Sequence, residues 1–480
     1  MENQQYHRAK PWQIAFFSMN NAATNTYMFL MMYVSYYATG VAGLGVAIVG
    51  IISTAVRLWD GVTDPIIGFV IDRTNGKFGK VRPFMVLGNI ILAVMTLIIY
   101  GTTHLVPESF RLIYYIAMYC IYIIGYTFQT ACTKAGQACL TNDPAQRPTF
   151  TLYDTVVGAI VWAVLPMIAS GPLFERHGDF TAGYFMEFTL ISIAISAVLT
   201  LLAVIGIWSH DRPEFFGIGG DESEKLGFKD YLDVIKHTRA IQMLVVSAAS
   251  DKLAMNVKTS AVLMSVLFGA FLGNYAMYGT TSGLVTIPSI VIALVGVGFA
   301  AKKGMKKALV NFTIIDMVTA GIMFVIAVFW FMTGMNIGNG LLYWVFIILY
   351  CVLYCAEGIS GGIVIPMIAD CADYETARTG RYIPGMMGTL FSFVDKLISS
   401  LSATIISLGL VAIGYTSVQP GPDAEMTTGL FIFMLVMYFG LPFIGWVANL
   451  LAMKYYPLTQ EKMAEIQEEI AAAKANAAKS

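Results

Sequence analysis

Charge is what this 480-residue chain has least of: Asp, Glu, Lys and Arg make up 12% of it, against about a quarter in ordinary soluble proteins. Hydrophobic residues make up 57%, and the mean hydropathy is +0.69. A soluble protein of this length needs a polar surface that such a composition cannot supply, so the chain is read as an integral membrane protein. No basic domain exists to neutralise phosphates, which argues against nucleic acid as a partner. Histidine is scarce, and His7, His104, His177, His210 and His237 all fall in loops or at span ends. With no HExxH motif and no GxxxxGK(S/T) loop, neither a zinc enzyme nor an ATP-driven pump is expected, and no cofactor beyond a coupling ion. The six cysteines are thinly spread, and Cys120, Cys132, Cys351 and Cys355 lie inside apolar runs. They read as small packing residues rather than a disulfide scaffold or metal site. The polar start, MENQQYHRAKPWQ, lacks the apolar core and cleavage site of a signal peptide, so the first span is expected to insert the chain itself.

What is present is long apolar runs. A span needs about 20 mostly apolar residues. Twelve stretches qualify, near 13–38, 44–71, 83–104, 110–140, 149–170, 187–208, 240–269, 277–301, 308–333, 341–369, 385–414 and 428–455. They are too long and too uniformly apolar for barrel strands. The expected fold is an all-α membrane protein of twelve transmembrane helices in two six-helix bundles. Residues 1–209 form the first bundle, 210–239 a charged central loop, 240–457 the second bundle and 458–480 a tail. Two such halves are a common transporter plan, with substrate handled at mid-membrane by alternating access. The repeat is inferred from hydropathy alone. Of 29 Lys and Arg, Arg111 and Arg176 fall on one side, and Arg57, Lys134, Lys252, Lys258 and Lys396 within spans. The rest fall on the other side, which makes that side cytoplasmic, with both termini there, in a cell-membrane protein. The tail carries Met463, Ile466 and Ile470 at helical spacing and is expected to be a helix.

Ionisable side chains inside a span cost on the order of 3 kcal/mol each and usually face a cavity or a partner. The second span reads AVRLWDGVTDPIIGFVID. Asp60 and Asp64, four apart, share one helix face. Two carboxylates repel unless a cation or proton lies between them, and Thr63 adds a neutral oxygen of the kind hard cations prefer. The alternative is a structural salt bridge to Arg57 or to a lysine of another helix. Pro65 can free a backbone carbonyl at Gly61, and Gly68 would allow close helix approach. Asp72, Arg73, Lys80 and Arg82 then crowd a short glycine-rich turn suited to capping helix ends, or simply to anchoring the cytoplasmic side.

WDGVTDP, followed by GFVIDRT and GKFGKVRP, resembles the second span and following loop of the glycoside–pentoside–hexuronide cation symporters of the major facilitator superfamily. PMIADCADYETARTGRYIPG, residues 366–385, resembles that family's loop between spans ten and eleven. The resemblance covers nearly the whole chain. It implies that Asp60 and Asp64 coordinate the coupling cation, with Thr63 where the family's melibiose carrier has asparagine and Thr127 as a further ligand. The ion would be Na+ or H+, with Li+ possible. It implies gating or loop roles for Asp72, Arg73, Lys80, Arg82, Asp370, Asp373 and Arg381, and a place near the site for Lys396.

The sugar side departs from the family's melibiose carrier. Thr24 falls where an aspartate holds the sugar, flanked by Asn21 and Asn25. Thr130 replaces a second aspartate, Lys134 replaces a tryptophan, and the arginine of span five has no clear counterpart. These residues are the substrate-binding candidates. Lys134 with Lys396 can face an anionic group, as in a uronide, or Lys134 can neutralise Asp60 or Asp64. In span seven Asp251 is a candidate partner for Lys258, and Asp316, Glu357 and Asp395 are further intramembrane acids. Tyr27, Tyr33, Tyr36, Tyr37 and Trp162 are read first as packing or interfacial aromatics. The function expected is cation-coupled symport of a glycoside or other sugar into the cell by a monomer whose partners are this small substrate, a monovalent cation and membrane lipids. The competing readings are a proton-coupled efflux antiporter of the same superfamily and a symporter of an acidic non-sugar solute.

Overall fold

The computed structural model describes residues 7–74, 76–141, 146–212, 238–334, 340–379 and 384–477. Twelve long helical elements account for most of them: α1 Pro11–Met32, α2 Val46–Arg73, α3 Arg82–Thr102, α4 Glu108–Leu140, α5 Arg147–Ser170 and α6 Ala182–Ile207, then α7 Arg239–Lys258, α8 Ala276–Lys303, α9 Met305–Thr333, α10 Leu341–Thr379, α11 Pro384–Ala412 and α12 Thr428–Tyr455. A tail helix, α13, spans Gln460–Ala477. Among the described residues the only β pairing is an isolated bridge between Gly76 and Gly79.

Nine described helices are long and apolar enough to cross a membrane by themselves. A tenth crossing is α7 with its continuation over Ala261–Phe271, bent by 51° at the break. In α8 only Ala276–Ile292 counts as an apolar stretch. The remaining element, α1, is long enough but polar, carrying Asn20, Asn21, Thr24, Asn25 and Thr26. It packs against α4, α5 and α6, so its amides and hydroxyls meet protein rather than lipid. π-helical turns follow α1 at Tyr37–Val41, lie in the continuation of α7 at Ser265–Phe271 and interrupt α12 at Leu435–Gly440.

The chain forms two compact units. The first comprises Met1–Gly220, Met264–Thr286 and Ser407–Glu425. Within it, α1 packs on α4 and α6, and α3 packs on the same two helices. Polar contacts fasten the two later segments to it. Tyr36 Oη donates to the Pro420 carbonyl at 2.8 Å, the Val46 amide donates to the Thr416 carbonyl at 3.0 Å, and the Tyr33 and Tyr275 hydroxyls meet at 2.9 Å. Gly279, whose amide donates to Ser170 Oγ at 2.9 Å, has no room for a Cβ against Met167. The aromatic residues that could have served a sugar are thus partly committed to packing: Tyr37 Oη bonds His104, Trp162 packs edge-on against Phe29, and Tyr27 is fully buried.

The second unit comprises Asp221–Leu263, Ile287–Ile406 and Met426–Ser480. Here α7 packs on α10 and α12, and α9 packs on the same two. These four pairings are pairings of the first unit with six added to each helix number, so part of the repeat suggested by hydropathy recurs in packing. Each unit also buries an asparagine clasp. Asn89 of α3 donates to Ser196 at 2.7 Å and Thr200 at 2.9 Å on α6. Asn449 of α12 donates to Thr313 of α9 at 3.1 Å and accepts from Ser247 of α7 at 2.7 Å. The tail behaves as its spacing suggests: Ile466 is buried, with Met463 and Ile470 packed against the same apolar cluster as Tyr374 and Ala377 of α10.

Candidate functional site

The turn of α2 decides which way its acids point. Asp60, Thr63, Ile67 and Ile71 are buried, whereas Leu58, Val62, Ile66 and Phe69 are exposed on the opposite face. An apolar stripe of that kind suits lipid, which sends Asp60 and Thr63 into the protein. The helix continues unbroken through Pro65. Across from this face, α4 presents Thr127, fully buried. Thr127 Oγ1 lies 3.1 Å from Asp60 Oδ1 and 3.0 Å from Thr63 Oγ1. Each hydroxyl also has a carbonyl of its own helix to donate to, Asp60 for Thr63 at 3.1 Å and Ile123 for Thr127 at 3.0 Å. With its single proton given there, each hydroxyl can turn lone pairs toward the Asp60 carboxylate's surroundings. Asp64 is half-buried one turn further along. Arg57 is an electrostatic neighbour of Asp60 and of Tyr119, Tyr122 and Tyr126. Three of the four expected cation ligands, Asp60, Thr63 and Thr127, are therefore brought together. Gly68 has open space where its Cβ would be, so it marks no close helix approach.

On α1 the most enclosed amide is Asn20 rather than Asn21 or Asn25, which are half-buried. Asn20 Nδ2 donates to Thr133 Oγ1 at 2.7 Å and to the Gln129 carbonyl at 3.0 Å. Asn20 Oδ1 and Gln129 Oε1 are buried acceptors that meet no donor among the described residues. The only sequence signal for Asn20 was its place beside Asn21 in the run SMNNAATNTY. Thr24 and Thr130 spend their hydroxyl protons on backbone carbonyls, of Asn20 and Thr127 respectively. Lys134 is exposed and pairs with no carboxylate among the described residues. Lys396 is half-buried. Its neighbour Asp395 pairs with Lys252 at 3.7 Å. Lys258 does not pair with Asp251. Seven residues separate them, about 10 Å of helical rise, and the ammonium of Lys258 instead meets Glu357 of α10.

The turn after α2 does cap a helix, through a residue that spacing did not single out. Asp211, just beyond α6, accepts from the amides of Lys80 at 2.8 Å, Val81 at 3.1 Å and Arg82 at 2.9 Å, and from Arg82 Nε at 3.2 Å. Arg82 also stacks on Trp208, and Arg73 on Phe69, at 4.5 and 4.2 Å. At the second loop the buried carboxylate is Glu375. It accepts from Thr238 Oγ1 at 2.9 Å and from Arg378 at 2.8 Å, beside the start of α7. Asp373 accepts from Gln467 of α13 at 2.7 Å, and Asp370 is half-buried. Arg381 and the side chain of Asp72 lie outside the described residues. A separate cavity of about 480 Å³ opens where α8 meets α9, lined by Phe299, Lys303, Lys306 and Lys307 with Val310 and Asn311. Among the described residues no carboxylate lines it.

Comparison with known proteins places these elements. The pattern of the family described as MFS/sugar transport protein matches residues 16–460. The chain is 27% identical over 461 residues to an uncharacterised symporter, YjmB, of Bacillus subtilis, covering 93% of this chain and 92% of that protein. It is 26% identical to a lactose permease of Lactobacillus delbrueckii subsp. bulgaricus, over 87% of this chain and 64% of the permease. It is 23% identical to the glucuronide carrier protein homolog of Escherichia coli, over 95% and 94% of the two chains. Among solved structures, the nucleoside transporter NupG superposes with a TM-score of 0.59 at 12% identity, covering 94% of this chain and 99% of that one. That likeness is one of fold. The chain belongs to the MFS/sugar transport protein family and is a transporter rather than an enzyme.

Proposed function

We propose that this protein imports a glycoside across the cell membrane with one monovalent cation, Na+ or H+, bound at Asp60, Thr63 and Thr127 with Asp64 completing the site. The observation that carries this reading is the convergence of the Asp60 carboxylate with two buried hydroxyls that each have another carbonyl for their proton. Such oxygens suit a hard cation. Relatives named for lactose and for glucuronide support a glycoside as the substrate class. An acidic glycoside is favoured by Lys134, which lies two turns along α4 from Thr127 on the same face and pairs with no described carboxylate. The distribution of Lys and Arg supports both termini in the cytoplasm, and the transporter acts as a monomer.

One cation moving inward gains about 2.3 kcal/mol per 100 mV of membrane potential. That is enough to concentrate a neutral sugar roughly fifty-fold, whereas a monoanionic glycoside moving with one cation carries no net charge and is driven by the cation's concentration gradient alone. Cation and sugar must then strengthen each other's binding, and the effect is reciprocal. The test is uptake of neutral and acidic glycosides into vesicles under imposed Na+ or H+ gradients. Asp60→Asn should abolish uphill accumulation while leaving exchange at equal concentrations, and Asp64→Asn should act in the same direction. If both variants accumulate sugar uphill with the wild-type cation dependence, the carboxylates are structural and the reading fails.

A further inference from the structure

The second unit buries a group of charged side chains that the cation site does not use. Asp316 of α9 is wholly buried. Its Oδ2 lies 3.5 Å from the Ser360 hydroxyl of α10, while its Oδ1 is enclosed and meets no donor among the described residues. The charged groups around it are Asp251 and Lys258 from α7 and Glu357 from α10. From α12 comes Tyr438, whose ring lies 5.6 Å from Lys258 Nζ. The one ammonium is already given to Glu357. Two further carboxylates, Asp251 and Glu357, thus act on Asp316 against the one nearby ammonium, and Asp316, the most enclosed of the three, has one oxygen unmet.

An ionised Asp316 would stand desolvated among excess negative charge, with one oxygen unmet. Desolvation and repulsion both favour the neutral acid. A metal ion is the poorer occupant, because among the described residues no three Asp, Glu, His or Cys side chains gather to hold one, and the Lys258 ammonium already meets Glu357.

We propose that Asp316 is a proton carrier, a buried carboxylic acid that exchanges its proton during the transport cycle separately from the cation held at Asp60. Release requires a conformational step that brings water to Oδ1. The O–H bond then breaks, the proton leaves to water, and Lys258 is the nearby cation able to neutralise the carboxylate left behind. Only the transport half of this proposal rests on the symport reading.

The test has two arms. In infrared difference spectra of the purified full-length protein between neutral and alkaline pH, the wild type should show a carbonyl stretch of a protonated carboxylic acid that disappears on alkalinisation. Asp316→Asn should lack this component, and Asp60→Asn should keep it. Ser360→Ala, a milder change should Asp316→Asn fail to fold, should move its frequency. Absence of the band from the wild type, its persistence in Asp316→Asn, or an unmoved band in Ser360→Ala would overturn the proposal. In the second arm, proteoliposomes loaded with a pH-sensitive dye receive the same glycoside panel. Wild-type uptake should acidify the lumen, and Asp316→Asn should move fewer protons per glycoside taken up; equal acidification per glycoside by the variant overturns the coupling role. If no glycoside enters with the wild type, the symport reading has failed, and the spectra still decide whether Asp316 holds a proton.

Discussion

The Asp211 carboxylate fills the space a side chain on Gly79 would need. Gly79 adopts φ +93°, and its turn delivers the amides of Lys80, Val81 and Arg82 to that carboxylate at the start of α3. Three donors at a helix N-terminus are satisfied by one acid from the far end of α6, which suits the dipole of α3 as well. Asp211→Ala should lower stability by about 2 kcal/mol through loss of this cap. Gly79→Ala should cost a similar ~2 kcal/mol from backbone strain and collision. Thermal unfolding in detergent measures both, and a melting temperature unchanged in Asp211→Ala would show that water replaces the cap.

Thr127→Val keeps the shape of the side chain and removes the hydroxyl beside Asp60. Losing one ligand oxygen worth about 1.4 kcal/mol should raise the cation concentration for half-maximal stimulation about tenfold. Expression and sugar exchange should stay near wild type. An unchanged cation dependence would remove Thr127 from the ligand set.

The asparagine clasps should contribute comparably in the two units. Asn449→Ala strands Ser247 and Thr313, and Asn89→Ala strands Ser196 and Thr200. Interhelical bonds of this kind in membrane proteins contribute about 0.6–1.7 kcal/mol each. Each variant should unfold at a lower temperature while its helix content stays the same. A drop confined to one of the two would mean that the structural repeat is not an energetic one.

Burial first, and the neighbouring His7 second, hold the His210 imidazole below its ordinary value of 6.5. The unfolded chain therefore takes up this proton at higher pH than the folded one. Stability is complete above about 6.5 and falls as the pH drops through that value toward the folded one. The melting temperature should show this acid limb, and His210→Asn should flatten it. If the limb survives the substitution, other groups produce it.

Much of this protein is legible in the residues themselves. Most of the helical spans follow from apolar runs of membrane length, because a chain in lipid must satisfy its backbone within each segment. The inward direction of Asp60 and Thr63 follows from their spacing against Leu58, Val62 and Ile66, and the docked face of α13 follows from Met463, Ile466 and Ile470. The polar α1 is the informative exception, since its asparagines and threonines require protein on all the faces that carry them. What only the tertiary structure decided is which residues meet. Lys258 faces Glu357, 99 positions away, rather than Asp251 on its own helix, and Asp211 caps a helix that begins 129 residues earlier. Asn20, rather than Asn21 or Asn25, is the amide that ties α1 to α4. Periodicity tells which side of a helix turns inward. The neighbour waiting there depends on how separate helices rotate and slide to fill one another's grooves, and that is settled by the packing of the whole bundle.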